Sequence, residues 1–205
     1  HSLAMMLLKG RTMIVLALLL IFFSLATPNF LSANTFLLLA KHVALYGILA
    51  IGMTYVIITG GIDLSVGAVV GLAGMVAGGM IQKGITLQMF DVTLYFSVPL
   101  VIFFTLLVGA LVGLINGLTI TKFGVAPFIA TLGTMYIARG FAMLHSSGAT
   151  YSNIIGSDAL GNVGFTFFGS RLMGIPIGAI VLVVLAIIAG ILLKKTTFGW
   201  HRFSI

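Results

Sequence analysis

Six stretches of this chain run for about 20 residues with almost no charge, and no other feature limits its fold so severely. They span residues 12–31, 40–59, 64–81, 92–114, 125–144 and 174–193. A helix needs this length and character to cross the hydrocarbon core of a bilayer. Of the 205 residues, 60% are hydrophobic and only 6% charged, where a soluble domain carries about 25% charged residues. A protein this apolar has too little polar surface to face water. In lipid the surface may be apolar, but every backbone polar group must be paired internally, which favours helices. The 26 glycines suit close approach between such helices. The expected fold is all-α, a polytopic transmembrane bundle of about six spans.

The first span invites comparison with a cleaved leader, since Lys9 and Arg11 precede an apolar core ending in Ser24-Leu25-Ala26. The many spans that follow favour a retained helix. Lysines and arginines at span ends set orientation. With the N-terminus in the cytoplasm, the inner ends hold Lys9, Arg11, Lys122, Lys194, Lys195 and Arg202, and the outer ends hold Lys41, Lys83, Arg139 and Arg171. That bias places both termini inside and the long polar segment 145–171 outside. Its Ser, Asn and Gly content marks turns and surface. It reads either as a flexible external loop or as a docking surface for a partner on that side.

Several function classes fall away. The net charge of +7 comes from basic residues scattered singly between apolar runs, not from a basic face, so nucleic acid is not an expected partner. There is no cysteine, hence no disulfide, thiolate metal site or thiol nucleophile. There is no glutamate and no His-Glu-x-x-His metal motif, and no Gly-x-x-x-x-Gly-Lys-[Ser/Thr] phosphate loop. The four histidines, His1, His42, His145 and His201, lie far apart at span ends. No catalytic residues and no cofactor are expected on this chain, and nucleotide, if used, must bind elsewhere.

The chain has three acidic residues, Asp63, Asp91 and Asp158. The last two fall in expected external loops. Asp63 lies in Thr59-Gly60-Gly61-Ile62-Asp63-Leu64-Ser65-Val66-Gly67, between two spans with almost no polar spacer. Gly60 and Gly61 supply permissive backbone for a break. Asp63 suits the start of the third helix, accepting from the amides of Ser65 or Val66. It equally suits a broken helix facing a polar path, and the two readings are compatible. Arg139 either snorkels to the interface or donates to solute hydroxyls or a carboxylate. Asn116, followed by Gly117, reads as the C-terminal stop of the fourth span. Thr131 and Thr134 either face the bundle interior or bond back to their own helix. Phe128 is a core aromatic or a surface on which a sugar face could stack.

These residues also carry a resemblance. The segment 50–68, with Gly60-Gly61-Ile62-Asp63-Leu64-Ser65-Val66-Gly67 at its heart, resembles the hallmark of the ribose/xylose/galactofuranose-type permeases of bacterial ATP-binding-cassette importers. Asn116-Gly117-Leu118, then Val125-Ala126-Pro127-Phe128-Ile129-Ala130-Thr131-Leu132-Gly133-Thr134-Met135 and Ala138-Arg139-Gly140, continue the match in order and spacing, and Thr196-Thr197-Phe198-Gly199 ends it. The resemblance covers nearly all of this chain but only the earlier part of a typical member. Residues 1–205 are therefore expected to be one permease domain, incomplete at its C-terminal end. It implies a multi-pass subunit of the bacterial cytoplasmic membrane, paired with a second permease. Cytoplasmic ATPase subunits would carry ATP and magnesium, and an external binding protein would deliver the sugar. The expected path residues are Gly60, Gly61, Asp63, Ser65, Asn116, Phe128, Thr131 and Arg139. An ion-coupled secondary transporter using Asp63, and a truncated membrane fragment that does not transport, are the alternatives.

Overall fold

The computed structural model describes residues 3–195, with side chains from Gly10 to Lys194. Each of the six apolar stretches folds as a helix: α1 (Leu3–Ala26), α2 (Ala33–Ile58), α3 (Val66–Gln82), α4 (Val98–Thr121), α5 (Pro127–Ser146) and α6 (Ile177–Lys195). Among the described residues α2, α4, α5 and α6 are long and apolar enough to cross a membrane. The 17 residues of α3 and the apolar part of α1, Gly10–Ala26, sit at the short end of the spanning range of about 17–25 residues. The Thr196–Gly199 match, Arg202 and the terminal histidines lie outside the described residues.

Local chemistry moves several boundaries from their expected places. α1 ends at Ala26, because Pro28 disfavours helix in the residue before it. α2 starts at Ala33, where the Ser32 hydroxyl accepts from the Thr35 amide at 3.3 Å. The fourth helix begins at Val98 rather than residue 92. Val92–Leu94 instead forms strand β2, paired antiparallel with β1 (Ile85–Leu87) in a small hairpin. Pro99 then occupies the first turn of α4, where a missing amide hydrogen costs nothing. α5 likewise starts on Pro127. A second short hairpin, β3 (Arg171–Leu172) with β4 (Ile175–Pro176), turns through Met173 and Gly174, both at positive φ, so α6 starts at Ile177 rather than 174.

Helices α2 to α6 run in alternating directions. α3, α4 and α5 pack together, and α2 packs on α6. The start of α3 lies beside the end of α4, where Asn116 bonds Ser65. The end of α3 lies beside the start of α4, where Ala77, Met80, Ile81 and Val101 form a buried cluster. α2 and α6 run parallel: Gly178 faces Ala44, Leu182 crowds Gly47, and the Tyr55 hydroxyl donates to the Ala189 carbonyl at 2.8 Å. Elsewhere the large side chains stay outside. Phe103, Leu106, Phe141 and Ile187 are each more than half exposed, as expected where lipid replaces water around a bundle.

The polar segment that follows α5 is anchored to the bundle. Asn162 is completely buried, donating to the Ile81 carbonyl at the end of α3 (2.9 Å) and accepting from the Ser157 amide (2.7 Å). Gln82 donates to the Ser152 carbonyl, and Ile154 and Phe165 pack on the buried cluster. The segment crosses α3 so closely that a Cβ on Gly78 would lie 2.7 Å from the Cβ of Tyr151. The free-loop reading gives way to a folded cap over one end of the bundle.

Candidate functional site

At the opposite end, the termini of four helices converge. α2 stops there through two bonds: the Gly60 amide donates to the Ile57 carbonyl (2.9 Å) and the Gly61 amide to the Val56 carbonyl (3.0 Å). This pattern requires a left-handed residue after the cap, and Gly60 supplies it at φ 73°. The chain crosses to α3 in a few residues.

Asp63 precedes α3 by three residues, and Ser65 occupies the cap position without bonding the helix through its own side chain. The expected bond from the Ser65 amide to the Asp63 carboxylate is present, at 2.7 Å, and the Ser65 hydroxyl donates to the same oxygen at 2.6 Å. The carboxylate therefore fixes the entry to the helix from outside it, in an Asx-type turn.

Asn116 corrects the expectation of a helix stop. α4 continues through it to Thr121, and the side chain is buried at 6% exposure. Its amide donates to the Ser65 hydroxyl (3.1 Å), and its carbonyl accepts from the Thr134 hydroxyl of α5 (2.5 Å). A directional chain results, Thr134 to Asn116 to Ser65 to Asp63, tying α3, α4 and α5 together. Asn-Gly ends a helix when the amide has only its own backbone to bond. Here two neighbouring helices occupy it, and the backbone stays helical. Thr131, also buried, does both things considered for it: its hydroxyl lies 2.8 Å from the Pro127 carbonyl on its own helix and 3.2 Å from the Ile62 carbonyl across the junction.

These groups border a cavity of about 530 Å3, within the range of about 300–1,000 Å3 usual for small-molecule sites. Gly61, Asp63, Asn116 and Thr131 line it, with Tyr55 of α2, Thr59 just after it, and Gly113, Gly117 and Thr121 of α4. A second cavity of about 200 Å3 lies against α3 and α4, lined by Asp63, Ser65, Val69, Gly109, Gly113 and Asn116 among others. Of the eight expected path residues, Gly61, Asp63, Ser65, Asn116 and Thr131 thus come together. Gly60 shapes the turn beside them. Phe128, on the first turn of α5, is more than half exposed and borders neither cavity. Arg139 is exposed roughly 12 Å beyond Thr131 along α5, at 1.5 Å per residue.

Sequence reasoning passed over Tyr55, Thr59, Gly113, Gly117 and Thr121 as lining residues. A signal was available on α4: Gly113, Asn116, Gly117, Ile120 and Thr121 fall at i, i+3, i+4, i+7 and i+8, one helical face, all five on the larger cavity. No group of residues able to hold a metal ion occurs among the described residues.

Comparison with known proteins follows the same segments. Residues 35–205 match the family described as branched-chain amino acid transport system / permease component. The chain is 40% identical over 191 residues to the ribose import permease protein RbsC of Bacillus subtilis, covering 93% of this chain and 54% of that protein. It is 30% identical over 201 residues to the protein of the same name from Haemophilus influenzae, covering 97% of this chain and 58% of the relative. It is 36% identical over 188 residues to the autoinducer 2 import system permease protein LsrD of Yersinia enterocolitica, covering 89% of this chain and 52% of the relative. The chain thus spans about half the length of these relatives. No solved structure matches it.

Proposed function

This chain belongs to the family of branched-chain amino acid transport system permease components, and from that membership we propose that it is a permease subunit of an ATP-driven importer, contributing the membrane path for a monosaccharide or similar small polar solute. One structural observation carries the reading. The predominantly apolar bundle holds a connected polar cluster, Asp63-Ser65-Asn116-Thr134, at a helix break bordering a cavity of small-molecule size. Ionisable groups among membrane helices are expensive and mark solute or ion pathways.

Such a subunit does no covalent chemistry. ATP and magnesium act on a cytoplasmic ATPase partner, whose differential affinity for two states of the permease shifts the population between them. A second permease copy or homologue, an external solute-binding protein and the lipid of the cytoplasmic membrane complete the assembly. The N-terminus lies in the cytoplasm, which places the Asp63 junction toward the ATPase and the folded cap of residues 147–176 toward the binding protein. The name of the Bacillus subtilis relative supports ribose as the first solute to test.

The test is to isolate the complex in detergent, weigh its components by native mass spectrometry, and measure uptake of D-ribose and other neutral monosaccharides after reconstitution. An ATPase-sized partner is expected, with uptake that needs ATP and survives collapse of ion gradients. A carboxylate at a helix break also suits ion coupling. Uptake driven by a proton or sodium gradient without ATP, and lost in Asp63→Asn, would establish that reading instead.

A further inference from the structure

The two cavities lie one after the other along α4. Gly117, Ile120 and Thr121 border the larger, Gly109 and Val112 the smaller. From Gly109 to Gly117 is roughly 12 Å at 1.5 Å per residue. Asp63, Gly113 and Asn116 border both cavities, so these three residues stand where one gives way to the other.

Each of the three has a distinct character. Asn116 is held on both sides, by Ser65 and Thr134, and cannot turn into the space without breaking both bonds. Asp63 uses Oδ1 for the Ser65 amide and hydroxyl, while its Oδ2 accepts no hydrogen bond from any described residue. Gly113 contributes backbone alone, and a Cβ built on it would meet no atom within 4 Å. Gly47, Gly78 and Gly79 differ: there a Cβ would strike a neighbouring side chain at 2.8 Å or less. Close packing, against a helix for Gly47 and Gly79 and against Tyr151 of the cap for Gly78, therefore accounts for those three glycines and not for Gly113.

We propose that Asp63, Gly113 and Asn116 form the narrow point of a single solute path through both cavities, and that Oδ2 of Asp63 takes a hydroxyl hydrogen from a neutral polyhydroxyl solute there. This inference rests on the permease reading above. A carboxylate oxygen accepts from a hydroxyl more strongly than a neutral acceptor does, and it disfavours an anion at the same point. The path accordingly passes neutral sugars and rejects sugar phosphates. Asn116 acts as a positioning residue, holding the Ser65 turn that presents the carboxylate.

Residues 1–205 hold no cysteine, so Gly113→Cys introduces the only thiol among them, and its labelling is read against the unmodified complex. In the membrane complex with its partners, that thiol is expected to react with a charged, water-soluble thiosulfonate and to be protected by saturating D-ribose or whichever neutral monosaccharide the complex imports. Gly113→Leu fills open space, so the complex assembles in normal amount while uptake falls about tenfold or more. Asp63→Asn assembles as well and loses uptake by about tenfold, the scale of one charge-assisted hydrogen bond, while its discrimination against the corresponding sugar phosphate weakens.

A Gly113→Cys thiol that stays unreactive, together with failure of Gly113→Leu to assemble, would overturn the proposal and make the groove a seat for another helix. A reactive thiol with uptake unchanged in Gly113→Leu would overturn the path and leave the permease reading standing. Absence of ATP-dependent uptake of any neutral monosaccharide by the unmodified complex would overturn the permease reading itself, and the path with it.

Discussion

Replacing Asn116 by alanine removes a side chain that bonds two neighbouring helices at once, and the structure allows its cost to be worked out. Two interhelical hydrogen bonds are lost, to Ser65 and from Thr134. In membrane bundles such bonds average about 0.6 kcal/mol and reach about 1.7 kcal/mol. Neither partner is left stranded. The Ser65 hydroxyl still donates to Asp63, and the Thr134 hydroxyl can turn back to the carbonyl four residues earlier on α5. Cavities already flank the site, so truncation empties little packed volume. The expected loss is therefore about 1–2 kcal/mol, well below the 2–5 kcal/mol of a large core truncation. The assay is reversible unfolding in mixed micelles, run as double-mutant cycles of Asn116→Ala with Ser65→Ala and with Thr134→Val. Each cycle should give a coupling of about 0.5–1.5 kcal/mol. Thr105→Val, which removes a bond from Thr105 to its own helix at Val101, should couple to Asn116 by no more than about 0.3 kcal/mol. Additivity within that margin for both Ser65 and Thr134 would refute the polar chain as an interhelical tie.

Gly60 at φ 73° should resist alanine by about 1–2 kcal/mol, the cost of a left-handed L-residue, with Gly60→Asn milder; the same unfolding assay measures both, and equal stability of all three would remove the stop assigned to α2. Asn162→Ala leaves the Ile81 carbonyl and the Ser157 amide without their buried partner, at about 1–3 kcal/mol for each unsatisfied group. Amide exchange across residues 147–176 should accelerate while that of α2 and α6 stays slow, and unchanged exchange would mean that other contacts hold the cap. For orientation, Asp158→Cys should label from outside intact cells with an impermeant maleimide, and labelling only after lysis would invert the proposed topology.

The membrane class, the all-α fold and the six apolar helices were legible in the sequence because each depends on local quantities. Whether a segment is apolar for about 20 residues is a property of that segment, and lipid obliges its backbone to bond within itself. The helix starts at Val98-Pro99 and Pro127 and the stop at Gly60 have local causes too. Short-range chemistry also explains most boundary errors, such as the hairpin of β1 and β2, whose strands are too short to stand out beside long apolar runs.

The cluster around Asp63 was legible in part. The Ser65-to-Asp63 bond spans two residues and follows from turn chemistry. Asn116 reads as a stop because Gly117 follows it, while the groups that satisfy its amide are 51 and 18 residues away. Asn162 gave no sign of its burial, since a polar segment rich in Ser, Asn and Gly looks the same whether it floats or is pinned to Ile81 across 81 residues.

The sequence by itself thus determined the solvent this chain belongs in, its six apolar helices and the segments shared with its family. Only the tertiary structure decided which polar groups meet, which glycines lie against a neighbour and which against open space, and where the cavities run. The physical reason is that apolarity and backbone pairing are settled within each helix. A side-chain amide between three helices has no bonding pattern until those helices pack, and several arrangements would satisfy the same apolar runs equally well.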